Sequence, residues 1–190
     1  IAMLLLVRVA VRNQRFAKSL NCDCADQLPH LGVPFRKAKK TLGIDHFQLR
    51  LSTSHQVKSP CIFGLLHPTL LIPVGLDKGL SATELECVFL HELAHLKRKD
   101  IAFSWIMCLL QCLHWFNPFV WFAMNRIRID RELATDETVL KHASENQRHC
   151  YGELIIKLLD QWRRPTTRPA GVVGMVESKR DLSNRIRAIA

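Results

Sequence analysis

Within the stretch VFLHELAHLKRKD, residues 88–100, two histidines and a glutamate interrupt an apolar helical pattern as His91, Glu92 and His95. On a helix, a spacing of four places both imidazoles on one face, one turn apart, where they can hold a single ion. Zinc binds imidazole nitrogen at about 2.1 Å and leaves room for two further ligands in a tetrahedral site. Glu92 is rotated onto the neighbouring face, where its carboxylate can take a proton from activated water and later deliver it to a leaving amine. The plain alternative is a pair of hydrogen-bonded core histidines. Burying three such groups beside Leu and Phe costs free energy unless every polar atom is satisfied, and a metal would satisfy them together. The pattern therefore points to zinc-dependent peptide hydrolysis with one Zn2+ per chain.

A third ligand is available downstream. The segment RELATDE offers Glu132 and Asp136, four residues apart and so on one helix face. Glu132 would complete a His2Glu site with water in the fourth position, and Asp136 would hydrogen-bond the far nitrogen of a ligand histidine, setting its tautomer. Read alone, this pair is an ordinary solvated face. Only the upstream motif lends it a role.

Several elements must bring these residues together. Ser81 followed by Glu84 is a capping box, and Leu85, Val88, Phe89 and Leu93 recur at helical spacing behind it, so residues 82–97 are expected to be helical. Further helices are expected at 126–143 and 151–162. Between the motifs, Ile101 to Met124 form a run of 24 residues with no formal charge. As one helix it would extend about 36 Å and could cross a bilayer. Glu132 would then emerge on the side opposite His91 and His95, which a single ion cannot bridge. The run is therefore expected to enter and return, breaking at Asn117-Pro118. Basic clusters flank it on both sides, as cytoplasmic segments beside a membrane do. The competing picture is a bent helix pair in a soluble core.

Upstream, FQLRLSTSHQV alternates like a strand, and SPCIFGLLHPTLLIP pairs two β-rich runs around His67-Pro68. Prolines 60 and 73 bracket this hairpin and place a strand at a sheet edge. CIFGLL, residues 61–66, is the candidate edge on which an extended substrate could add as a further strand, with Ile62, Phe63 and Gly64 as the candidate substrate-binding residues. IAMLLLVRVAV at residues 1–11 is too short to span a bilayer and reads as the tail of a transmembrane helix, with a buried amphipathic helix as the alternative. Residues 13–45 read as polar and basic with scattered apolar positions.

The 190 residues suit one domain, and 27 Lys and Arg against 17 Asp and Glu give a formal charge of +10. The basic residues flank apolar runs and no aromatic-rich RNA-binding signature interleaves with them, which points to an anionic membrane surface and away from direct nucleic-acid binding. Seven cysteines without a secreted-scaffold spacing suit a reducing compartment. Cys22 and Cys24 have no second pair at a zinc-ribbon interval, and no structural metal is expected there.

Four stretches in order, SPCIFGLLHPTLLIP, HELAHLKRKD, HWFNPFVWF and RELATDETVL with YGELIIKLL behind it, resemble the BlaR/MecR-type membrane metallopeptidases. These are gluzincins known from β-lactam-sensing signal transducers. The resemblance covers roughly residues 55–160. It implies zinc held by His91, His95 and Glu132, catalysis by Glu92, and cleavage of the protein itself or of a transcriptional repressor. It also implies a multi-pass protein of the bacterial cell membrane with its protease domain facing the cytoplasm. Thr135 departs from the pattern, since such proteins often carry cysteine before the aspartate, and it is expected to touch none of the proposed ligands.

The expected fold is α+β: a mostly helical, zincin-like metalloprotease domain with a small antiparallel sheet, an edge hairpin and membrane-associated helices. Residues 1–12 would end a transmembrane helix, 13–162 would form the protease domain with a membrane-dipping hairpin at 101–125, and 163–190 would be a basic linker. Two other readings stay open. A housekeeping protease of the HtpX or CAAX-processing type shares both motifs, although WFNPFVWF favours the signalling family. A catalytically silent membrane receptor would not need Glu92.

Overall fold

The computed structural model describes residues 1–20, 23–24 and 29–161. In chain order the elements are helix α1 (Ala2–Ser19), strand β1 (Asp23–Cys24), helix α2 (Pro29–Leu42), strands β2 (Arg50–Ser54), β3 (Cys61–Phe63) and β4 (Thr69–Pro73), and helices α3 (Ala82–Lys97), α4 (Asp100–Leu113), α5 (Pro118–His142) and α6 (Glu145–Gln161). The chain is mostly helical with one small sheet.

Helix α3 is the centre of the molecule. Both bonds of the capping box are made: Glu84 N–H donates to Ser81 Oγ, and Ser81 N–H donates to the Glu84 carboxylate. Leu85 through Leu96 are all buried, so the helix is covered on every side. Helix α2 lies against it, with Phe35 and Phe89 edge to face at 5.6 Å. Helices α5 and α6 cover the rest, and Val139, Tyr151, Leu154 and Ile155 join the same core.

Helix α2 was not evident from composition. Pro34 reads as a breaker and the segment is basic, yet Leu31, Phe35, Ala38 and Leu42 form one buried stripe on α3. Tertiary burial outweighs an interior proline in the second turn.

The sheet order is β1-β2-β4-β3. The expected hairpin is present, with Ile62 opposite Leu70 and β3 at the edge. The sheet is mixed, however, and not antiparallel throughout, because β4 also pairs in parallel with β2. Leu70, Leu71 and Ile72 are buried on both faces, so β4 needs a partner on each side and takes the middle position. Gly64 turns the hairpin with φ +99°. A Cβ there would lie 2.6 Å from the His67 carbonyl oxygen.

The uncharged run does turn back on itself. Helix α4 stops at Leu113, and Asn117 caps α5 by accepting from Phe119 N–H, with Pro118 opening the helix. The second limb is one helix with the segment expected at 126–143, because no breaker falls between Phe119 and His142. The tip of this pair exposes Phe116, Phe119 and Phe122, the last two at 82% and 75%. Among the described residues, no helix is long and apolar enough to cross a membrane. That includes α1, an 18-residue helix with no buried residue. From this helix, Phe16 meets Phe63 of β3 at 5.1 Å. The linker expected at 163–190 and the side chains of Cys22 and Cys24 lie outside the described residues.

Candidate metal centre

His91 and His95 stand one turn apart on α3, with ring centroids 4.9 Å apart and planes at 85°. Glu132 reaches them from α5, on the far side of the doubled-back pair. Its Oε2 lies 3.4 Å from His91 Nε2 and 3.6 Å from His95 Nε2. The three ligand atoms all lie within 4.8 Å of one another, and all three residues are buried. The juxtaposition depends on the turn at Asn117-Pro118, which returns α5 to the side from which α4 departs.

The donor set fits a metal ion. Among the described residues, His91 Nε2, His95 Nε2 and Glu132 Oε2 have no hydrogen-bond partner although buried. Leaving such an atom unsatisfied costs about 1–3 kcal/mol, more when charged. One cation at their common focus would satisfy all three.

The other ring nitrogens are engaged. His95 Nδ1 lies 2.7 Å from Asp100 Oδ2 and 3.2 Å from Thr135 Oγ1. His91 Nδ1 lies 2.7 Å from the Tyr151 hydroxyl and 3.3 Å from Asp136 Oδ1, and the hydroxyl itself donates to Asp136. Both rings are thus anchored through Nδ1 and turn Nε2 to the focus. Asp136 stands beside His91, but a tyrosine oxygen is nearer to the ring than the carboxylate.

Local geometry explains Asp100. Lys99 adopts φ +61°, the sole positive φ at a non-glycine among the described residues. This left-handed step ends α3 and starts α4, and folds Asp100 back onto the ring five positions earlier. Arg131 on α5 donates to Ser104 Oγ on α4 at 2.7 Å and lies 3.8 Å from Glu132 Oε1, on the side of the carboxylate away from the histidines.

Charge within the cluster is mutually stabilising. Burial alone would push the His95 ring down, but the negative charge of Glu132 and the bond to Asp100 outweigh it and hold the pKa at about 9. His91 is raised too, because the Asp136 and Glu132 carboxylates prevail over burial. Burial would raise Glu132, yet the adjacent histidines, His95 foremost, hold it well below the usual carboxylate range. Glu92 is fully buried next to His91, and its charge also acts on His95.

Of the candidate substrate residues, Ile62 is fully buried, so only its backbone could meet a substrate. Phe63 and Gly64 are partly exposed and line a cavity of about 530 Å³ with Leu66, His67, Trp105 and Asn13. Asp100, Thr135 and Tyr151 were not singled out as site residues by spacing, and Thr135, expected to touch no ligand, instead lies 3.2 Å from His95 Nδ1 because the packing of α5 on α3 brings it there. Asp100 lies in the quoted motif stretch, whereas no periodicity links position 151 to position 91.

The chain is similar to several known regulatory proteins. The chain is 39% identical over 112 residues to the regulatory protein BlaR1 of Bacillus licheniformis, a stretch that is 59% of this chain and 18% of that protein. It is 29% identical over 109 residues to the methicillin resistance mecR1 protein of Staphylococcus aureus strain Mu50, 57% of this chain and 19% of that one. With the regulatory protein BlaR1 of Staphylococcus aureus it shares 29% over 100 residues, 53% and 17% of the two. The matched stretch is thus under a fifth of the length of these curated relatives. A sequence model of the BlaR1 peptidase M56 family matches residues 1–189, a range that contains the helix of His91 and His95, the returning helix of Glu132 and the helix that carries Tyr151. The chain belongs to the BlaR1 peptidase M56 family.

Proposed function

We propose that this chain is the catalytic domain of a zinc metalloendopeptidase at the cytoplasmic face of a bacterial membrane, acting in regulated proteolysis. The observation that carries the reading is the convergence of His91 Nε2, His95 Nε2 and Glu132 Oε2, three buried atoms without hydrogen-bond partners among the described residues. These residues would hold Zn2+, which when bound supplies the Lewis acidity that polarises a peptide carbonyl and acidifies water. Glu92 would take the proton from that water and pass it to the amine that leaves. Asp136 and Asp100 would keep the ligand rings oriented. The exposed edge of β3 would hold the peptide extended, through the backbone of Ile62 and Phe63, with Gly64 leaving the approach open.

The bilayer contact would be made by the aromatic tip of the α4–α5 pair, dipping into the lipid without crossing it. The names of the relatives speak of regulation and of methicillin resistance. As the resemblance of its motifs to the BlaR/MecR-type metallopeptidases implies, the substrate would be the protein itself or a transcriptional repressor.

The test is Glu92→Gln with zinc content and peptide cleavage measured together. The unsubstituted chain should hold about one zinc, and the variant should hold as much and cleave nothing. A chain without zinc affinity, or a variant that still cleaves, would overturn the reading.

A further inference from the structure

We infer that Tyr151 is a positioning residue of the metal centre: its hydroxyl, interposed between Asp136 and His91, holds His91 in the tautomer that leaves Nε2 bare. The inference rests on the proposed metal site and deepens it.

A hydroxyl has one proton to give and lone pairs to receive. The Tyr151 proton is committed to Asp136 Oδ1, so toward His91 the oxygen can only accept. Its partner at 2.7 Å is His91 Nδ1, which must therefore carry the hydrogen. The remaining nitrogen, Nε2, then presents a lone pair to the focus shared with His95 and Glu132. Asp136 lies 3.3 Å from the same Nδ1, longer than the 2.7 Å contact of the tyrosine oxygen, so the hydroxyl is the nearer partner of the ring and the carboxylate acts on it both directly and through the tyrosine. The two ligand histidines are consequently anchored differently. His95 meets a carboxylate directly at 2.7 Å, whereas His91 meets a neutral oxygen backed by one.

The anchor is rigid. Tyr151 is fully buried in the same core as Leu154 and Ile155 of α6. That helix is also tied to α3, the helix of the two histidines, since Gln147 donates to Glu86 at 2.9 Å and Lys157 to Glu84 at 2.8 Å. Removing the hydroxyl leaves the aromatic ring to fill its place, so Tyr151→Phe deletes the relay while sparing the packing.

Tyr151 is the one tyrosine in the 190 residues, so 3-fluorotyrosine incorporated throughout reports on this position alone. Three measurements on the 190-residue chain test the assignment: zinc affinity by competition with a chelating dye, the ring 15N resonances of His91, and the single 19F resonance during zinc titration. Tyr151→Phe should weaken zinc about 10- to 100-fold, the range found for lost outer partners of metal ligands, with unchanged far-UV circular dichroism of the metal-free form. In the parent, His91 should show a protonated Nδ1 with zinc bound, and the fluorine signal should move with one equivalent. If Tyr151→Phe misfolds, the fluorinated parent, which retains the hydroxyl, still decides the matter. Zinc affinity in a folded Tyr151→Phe within twofold of the parent, a fluorine signal indifferent to bound zinc, or His91 protonated on Nε2 would overturn the positioning role and leave the metal site standing. A parent that binds no zinc would overturn both.

Discussion

Asp100 Oδ2 lies 2.7 Å from Nδ1 of His95, although the two residues belong to different helices separated by a single left-handed step at Lys99. The second histidine of the motif and the first residue of the next helix are thus one hydrogen-bonded unit. Asp100→Ala should leave the ring held only by Thr135, 3.2 Å away, and weaken zinc about 10-fold or more. Competition titration checks this, and Asp100→Asn, whose amide oxygen can still accept, should recover part of the loss.

Removing the metal should destabilise the fold, because three buried polar atoms lose their common partner. Ligand at 100 times its Kd adds about 2.7 kcal/mol to stability. A chelator should therefore lower the melting temperature of the parent. It should leave that of His95→Ala unchanged, since that variant has lost the site already. Equal sensitivity of both to the chelator would place the bound metal elsewhere.

The raised histidines make zinc binding a proton exchange. A folded-state pKa of about 9 for His95, against an ordinary 6.5, means that the metal-free protein gains stability from the protonated ring below about pH 6.5 and loses it as pH rises through 9. Zinc competes with that proton, so its affinity should climb across the same window. Calorimetry near pH 7.5 in buffers of differing ionisation enthalpy should show proton release on binding, and no net release would contradict the assigned charge state.

The capping box should matter to stability and not to the metal. Ser81→Ala removes the acceptor of Glu84 N–H at the start of α3 and should cost about 1 kcal/mol in urea denaturation. Zinc affinity should stay as in the parent, because His91 sits nearly three turns further along.

Phe119 and Phe122 expose most of their surface at the head of α5, where a bilayer would receive them. Each Phe→Ser change should weaken partitioning into anionic vesicles about tenfold, following the transfer free energy of a buried aromatic side chain. Brominated lipids should quench Trp115 and Trp121. Unaltered partitioning of both variants would remove the hairpin from the membrane contact.

Much of this protein was legible in the linear order of its residues, wherever the determining interaction is local. The bounds of α3 follow from Ser81, Glu84 and the apolar spacing behind them. The pairing of β3 with β4 follows from two short β-rich runs and a proline turn. The turn at Asn117-Pro118 followed from one geometric demand, that a residue beyond an uncharged run of 24 meet two residues before it. What only the tertiary structure decided is non-local. The parallel pairing of β2 with β4 joins strands that no hairpin rule links. Helix α2 hides a buried stripe behind Pro34 and basic residues, and becomes helical because α3 offers that stripe a surface. Above all, the contact of Tyr151 with His91 spans sixty positions and two intervening helices. Spacing along a chain encodes the faces of one helix, whereas the meeting of two faces is set by packing, and the partners of the ring nitrogens are of that second kind.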